Sequence, residues 1–293
     1  ALRRGIFMRR YLIVSVLVCG LVLGVVATAF AKNGANFGNT CDVVGHSTAD
    51  PIYEPGHGHP HVFYGAVDVT NGDTSDTLRG RDTSCRRVEN TSAYWHPEVY
   101  RNGNPLRVYE GKVRGDNTIY YDAGKIANQR TISPFPTDFE AVARDGGGVG
   151  DVEWGCGRAT GDGLPKTCKN KMLTAHVAFP QCWNGNHVSD AANEPERLVD
   201  PVDGRCKKGW KPLPKITMSV NFVLPSRRVG NITVAGNGPG MRTGFRTMHA
   251  DFVNGWKMTE LTKLVNNCIR NVPDNITVNQ KPDYCQDPDN KGS

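Results

Sequence analysis

The sequence contains no CxxC or CxxH spacing. That excludes a zinc ribbon and a thioredoxin-like redox pair, because both need two sulfur or imidazole groups on one tight turn. It has no GxSxG element, so the strained turn that exposes a hydrolase serine is missing. No phosphate-cradling glycine loop opens a helix, and Gly146-Gly147-Gly148 reads as a flexible loop instead. Internal repeats are lacking, and no change of composition marks a second domain. Basic residues run no longer than pairs such as Arg86-Arg87, Lys207-Lys208 and Arg227-Arg228. A protein that neutralises several phosphates needs a concentrated basic surface, so nucleic acid is not an expected partner.

What the chain does have is glycine and proline, 33 and 18 of 293 residues, with 38% hydrophobic residues. This balance rules out a helical bundle or coiled coil and favours short elements joined by long loops. Residues 1–31 read as a targeting segment with an upstream extension of the reading frame. Met8-Arg9-Arg10 is a basic start, residues 11–26 are an unbroken apolar run, and Ala29-Phe30-Ala31 has the small-x-small cleavage pattern. The expectation is a secreted protein with no stable membrane association after cleavage. An uncleaved anchor is the minority alternative, since the apolar run approaches membrane-spanning length. Removing the segment deletes Arg3, Arg4, Arg9 and Arg10 and no acid, leaving 31 basic against 29 acidic residues, +2 in place of +6.

Eight cysteines follow the targeting segment: Cys41, Cys85, Cys156, Cys168, Cys182, Cys206, Cys268 and Cys285. An even count in an exported chain predicts four disulfides, with connectivity left open among about 105 pairings. Residues 32–49 read as a polar lead-in, residues 50–270 as a single domain and residues 271–293 as a polar tail. Strand-like runs occupy residues 61–69, 139–143, 174–179 and 230–235. A hairpin is predicted from residues 107–113 and 117–121 around Arg114-Gly115-Asp116. The clearest period-two pattern is Ile216, Met218, Val220, Phe222 and Leu224. Helical spacing occurs at Leu261, Leu264, Val265, Cys268 and Ile269, which predicts an amphipathic helix over residues 258–269 with Cys268 facing inward. The fold class predicted is all-β: a disulfide-stapled β-sandwich or jelly-roll-like domain with long loops and one C-terminal α-helix.

Three features carry chemistry. The first is Glu54-Pro55-Gly56-His57-Gly58-His59-Pro60-His61. On an extended chain residues two apart point to one face, so His59 and His61 present two imidazoles together, as metal ligands or as an acid/base pair; a solvated histidine loop is the alternative. His57, between two glycines, has no fixed orientation. The second is Met248-His249-Ala250-Asp251-Phe252, where His249 and Asp251 share a face, a histidine oriented by a carboxylate; a structural pair near the final helix is the alternative. The third is a set of aromatic and amide-rich stretches, among them Ser92-Ala93-Tyr94-Trp95-His96-Pro97 and Phe179-Pro180-Gln181-Cys182-Trp183-Asn184-Gly185. Tyr94 and Trp95, with His96 and Asp50 as polar neighbours, are candidates for a sugar-binding wall. Trp154 and Trp183, next to cysteines, read as core. Sequons at Asn90, Asn231 and Asn275 are surface positions in a eukaryotic host.

The ordered series Asp50-Pro51-Ile52, His59-Pro60-His61-Val62-Phe63-Tyr64-Gly65, Thr83-Ser84-Cys85, Ser92 to Pro97, Tyr120-Tyr121, Pro134-Phe135-Pro136, Trp154-Gly155-Cys156, His176-Val177-Ala178-Phe179-Pro180 and His249-Ala250-Asp251-Phe252 resembles a secreted family of fungi and bacteria known as domain of unknown function nineteen-ninety-six. The resemblance spans about Asp50 to Cys268. It implies an extracellular setting and, because some fungal members are joined to carbohydrate-binding modules, a polysaccharide or cell-wall glycan as partner. The sequence departs from the family pattern where Cys206 leads to Trp210 in place of a histidine, so no late-histidine role is carried over and weight falls on His59, His61, His249 and Asp251.

The expected function is therefore action on, or binding of, extracellular polysaccharide. If the protein is an enzyme, it is a glycoside hydrolase or polysaccharide lyase, with His249 and Asp251 facing His59 and His61 across a groove. Two carboxylates usually perform glycoside hydrolysis, and Asp50 is the only other acid inside the matched motifs. A divalent metal ion at His59 and His61 is the expected cofactor on the metal-assisted reading. The alternatives are a non-catalytic wall-binding or structural protein and a histidine-based metal-binding protein.

Overall fold

The computed structural model describes residues 34–53, 58–110, 117–144, 151–157, 160–161, 163–188, 197–238, 240–273, 276–277, 280–286 and 288. The targeting segment, His57, the turn at residues 114–116, the glycine run at residues 146–148 and Asn275 lie outside the described residues.

The alternating strand Lys215–Val223 buries Ile216, Met218, Val220 and Phe222, while Thr217, Ser219 and Asn221 project from its opposite face. It runs through the centre of a six-stranded antiparallel sheet, flanked by Thr118–Asp122 and Met172–Ala178. Asn36–Thr40 closes one side of this sheet, and Asp151–Gly155 with Thr160–Gly161 the other. A second sheet has the order Val43–Ser47, His61–Gly65, Ala93–Pro97, His249–Val253, Glu140–Arg144, also antiparallel. The two sheets pack face to face. Val62, Tyr64, Tyr94, Ala250 and Phe252 of the second meet Tyr121, Trp154, Met218 and Phe222 of the first in the main hydrophobic core. The sandwich, the disulfides and the single C-terminal α-helix agree with the predicted class.

The outer face of the second sheet is also covered. Phe63, Trp95 and Val142 pack there with Ile52 and Leu78 in a smaller core. Leu78 comes from the short helix Ser75–Leu78, started by a Thr74/Thr77 capping box. A sheet buried on both faces loses the alternation that marks a half-exposed strand; His61–Gly65 and Ala93–Pro97 are buried at every position.

Residues 36–47, expected as part of a lead-in, form two strands instead. Phe37 stacks on Tyr121 with ring centroids 4.7 Å apart, and the polar residues around it gain backbone pairing to Thr118–Asp122. Residues 111–116 of the predicted hairpin lie outside the described residues; among those described, the pairing is longer-range. Thr118–Asp122 bonds Asn36–Thr40 and Lys215–Val223, while Val108 bridges Phe222. This pairing buries Ile119 and Tyr121 against the core. The helix Met258–Val265 continues as a π-helical turn, Asn266–Arg270, and buries Leu261, Leu264, Val265, Cys268 and Ile269.

The disulfides are Cys41–Cys85, Cys156–Cys168, Cys182–Cys206 and Cys268–Cys285. The last ties the tail to the helix. Arg87 donates to the carbonyls of Tyr284 and Gln286, and Lys281 to Asn36, so the described tail is held by more than its cysteine. Four bonds of this kind belong to a chain that folds in an oxidising compartment. Among the described residues no helix is long and apolar enough to cross a membrane.

Candidate metal centre

Strand registry decides which of the expected site residues meet. His61 pairs with Pro97, and Trp95 with Asp251. Because side chains alternate, His61, Trp95, His249 and Asp251 all project from the outer face of the sheet, whereas Tyr94 and His96 project into the sandwich. His59 lies two residues before the His61 strand, and its ring centroid is 4.2 Å from that of His61. The chain reaches this position by a close approach at Gly58, where a Cβ would meet the Thr48 carbonyl oxygen at 2.3 Å.

His59, His61 and His249 each present a ring nitrogen, all within 4.8 Å of one another. The closest pair is Nε2 of His59 and Nε2 of His249, 3.2 Å apart. Two Zn–N bonds of about 2.0–2.1 Å meeting at a tetrahedral angle set their nitrogens about 3.3–3.4 Å apart, so the spacing suits a shared metal ion. The Asp251 carboxylate stands 3.8 Å from His249 Nε2. Among the described residues no groove separates the two pairs: His59 and His249 touch.

Each imidazole is oriented by its other nitrogen. His61 Nδ1 donates to the Ala49 carbonyl at 2.9 Å, His249 Nδ1 to the Thr247 carbonyl at 3.1 Å and His59 Nδ1 to Asn237 Oδ1 at 2.9 Å. Carbonyl and amide oxygens only accept, so all three Nδ1 atoms carry protons and the neutral rings leave lone pairs on Nε2. Such oxygen partners, which fix tautomer and ring direction, are the usual surroundings of metal-ligating histidines.

Two lone pairs aimed at each other across 3.2 Å require a cation between them, either a proton or a metal ion. A proton shared by His59 and His249 would leave His61 Nε2 unserved; that atom is buried and has no hydrogen-bond partner. Leaving such a group unsatisfied costs about 1–3 kcal/mol, and one ion bound by all three rings removes the cost. Burial, with the neighbouring His59 and His249, pushes His61 down to about 2, so its ring is neutral at physiological pH and available as a ligand.

Four expected sugar-binding residues have other work. Trp95 is fully buried, stacked on Phe63 at 5.5 Å and edge-on to His61 at 6.4 Å. Tyr94 is buried in a network with Asn90, Tyr121 and, through Tyr121, Trp256. His96 donates from Nδ1 to the Pro97 carbonyl and accepts the Tyr64 hydroxyl at Nε2; burial holds it down to about 4. Asp50 Oδ1 accepts from the backbone of Ile52 and Tyr53, shaping the loop whose Ala49 carbonyl orients His61. Burial raises its carboxyl above the ordinary value. None of the three rings forms a sugar-stacking wall, because alternation and the outer core enclose them. Trp154 and Trp183 are core, as expected. Asn90 is fully buried, so of the described sequon asparagines only Asn231 is a surface position.

Asn237 was not legible as a site residue. It follows Gly236 in a glycine-rich loop and reaches His59 across 178 residues of chain.

The fold and site thus define a disulfide-stapled β-sandwich with a three-histidine cluster on the outer face of one sheet. The chain belongs to the family described as Domain of unknown function (DUF1996), which matches residues 50–256 and so takes in His59, His61, Asn237, His249 and Asp251. No curated protein and no solved structure matches the chain.

Proposed function

We propose that this protein is a secreted metalloprotein in which His59, His61 and His249 hold a divalent transition-metal ion, and that it acts on extracellular polysaccharide by metal-assisted hydrolysis. The convergence of three Nε2 lone pairs, each fixed by an oxygen partner on Nδ1, is the observation on which the metal reading rests. Imidazole donors suit zinc, copper, iron or nickel and not calcium or magnesium.

Three protein ligands leave one side of a four-coordinate ion open, as in catalytic zinc sites. A divalent ion bound there supplies a Lewis acid. His249 borders solvent, its side chain 21% exposed, while Asp251 beneath it is 2% exposed. On this reading Asp251, 3.8 Å from His249 Nε2, is the proton acceptor for a group that enters beside His249, with no second carboxylate needed. The targeting pattern of residues 1–31 and the four disulfides support secretion. The choice of a glycan as substrate rests on the extracellular, carbohydrate-linked setting that the family resemblance implies.

A second reading is metal binding without catalysis. It is favoured by the burial of His59 and His61, 7% and 0% exposed, against 21% for the His249 side chain.

Elemental analysis of the purified protein is the first test, expected to find about one transition-metal equivalent that is lost in His61→Ala. Mass spectrometry of products from a panel of wall and plant polysaccharides, with and without chelator, is the second. Chelator-sensitive release that vanishes in His249→Ala supports hydrolysis. Retained metal with no release supports the binding reading, and protein that takes up no ion overturns both.

A further inference from the structure

Of the three oxygens that orient the cluster, two are backbone carbonyls, those of Ala49 and Thr247. The third, Asn237 Oδ1, is a side chain. It comes from the loop joining strands Ile232–Ala235 and Arg242–Gly244. His59, unlike His61 and His249, lies outside any strand. Its direction is therefore set by side-chain contacts: Asn237 on Nδ1, and the His61 and His249 rings on the other side.

We infer that Asn237 is a positioning residue for the metal centre, holding His59 in the tautomer that directs its Nε2 lone pair at the ion. This rests on the metal reading above and goes beyond it by assigning the control of one ligand to a residue on a separate hairpin. Among the described residues the Nδ1 atoms of His59, His61 and His249 meet the neutral oxygens of Asn237, Ala49 and Thr247. Of these three partners Asn237 is the one whose strength a side-chain replacement changes, the other two being backbone carbonyls. Substitution of this kind of partner shifts metal affinity by about 10–100-fold.

The hairpin does not depend on this side chain. Gly236 N donates to the Met241 carbonyl and Met241 N to the Gly238 carbonyl, and Asn237 itself is exposed. Asn237→Leu, of similar size with no acceptor, and Asn237→Asp, with a charged acceptor, should both fold.

The test compares the parent with both variants by Zn²⁺ titration, by the absorption spectrum of the Co²⁺-loaded protein and by ¹⁵N NMR of the metal-free histidines. The expected result is a 10–100-fold loss of Zn²⁺ affinity and an altered Co²⁺ spectrum in Asn237→Leu, with affinity restored or raised in Asn237→Asp. In the metal-free parent, His59 carries a proton on Nδ1, donated to Asn237 Oδ1, and Asn237→Leu loses that preference. A Leu variant that equals the parent in affinity and tautomer overturns the role of Asn237 while leaving the metal reading intact. A parent that binds no Zn²⁺ overturns the metal reading and this inference with it.

Discussion

Nε2 of His59 and Nε2 of His249, 190 residues apart in the chain, stand 3.2 Å from each other. Each ring's other nitrogen donates to an oxygen, so neither Nε2 atom is the natural donor of that contact. A cation between them resolves the conflict, and the nearby lone pair of His61 makes a metal ion a better answer than a proton.

Metal removal should lower stability. An ion that binds only the folded state, present at about 100 times its dissociation constant, adds about 2.7 kcal/mol. For a domain of this size that is a melting temperature about 5–10 °C lower in chelator. His61→Ala should melt at the same temperature with and without chelator. Equal melting of the parent under both conditions counts against the metal centre.

The metal-free protein should weaken in mild acid. His61 and His96 stay neutral in the folded state down to about 2 and about 4, whereas an unfolded histidine protonates near 6.5. Above 6.5 the two states bind protons alike and the histidines contribute no pH dependence. As pH falls below 6.5 only the unfolded state takes up the proton, so stability drops by about 1.4 kcal/mol per pH unit for each histidine, until about 4 for His96 and about 2 for His61. Urea unfolding in chelator at several pH values between about 7 and 4.5 measures this. His96→Gln should flatten part of the slope, and a parent with no slope in this window contradicts the buried, neutral assignment.

Trp95→Ala should cost about 3–5 kcal/mol of stability, the usual penalty for emptying a large aromatic site in a core. Trp95→Phe should fold and keep its metal. If Trp95 instead formed a sugar wall, Trp95→Ala would retain its stability and lose polysaccharide binding, which thermal melting and pull-down separate.

Removing Cys41–Cys85, which closes 44 residues, should cost more than removing Cys156–Cys168, which closes 12. The chain-entropy model sets the difference at about 1 kcal/mol, and paired Cys→Ala variants compared by urea unfolding check the order.

Much of the architecture was legible because it is written in local periodicity. The alternation of Ile216, Met218, Val220 and Phe222 marked the central strand, and the spacing of Leu261, Leu264, Val265 and Cys268 marked the helix; both recur in the structure. The two histidine pairs were legible for the same reason, since residues two apart on an extended chain share a face. The partners of Thr118–Asp122, Asn36–Thr40 and Lys215–Val223, were not legible, because turn chemistry is local while sheet pairing is a property of the whole fold.

The sequence by itself determined the residue types of the site, the inward Cys268 and the all-β class. Only the tertiary structure decided that His59, His61 and His249 meet, that Asn237 joins them, and that Tyr94, Trp95 and His96 are enclosed. Those outcomes depend on the order of strands in a sheet and on what covers each face. His61 and His249 stand on strands separated by Ala93–Pro97, and no local pattern encodes which strand lies between two others. That order is chosen by the burial of two hydrophobic cores at once, one on each side of the sheet.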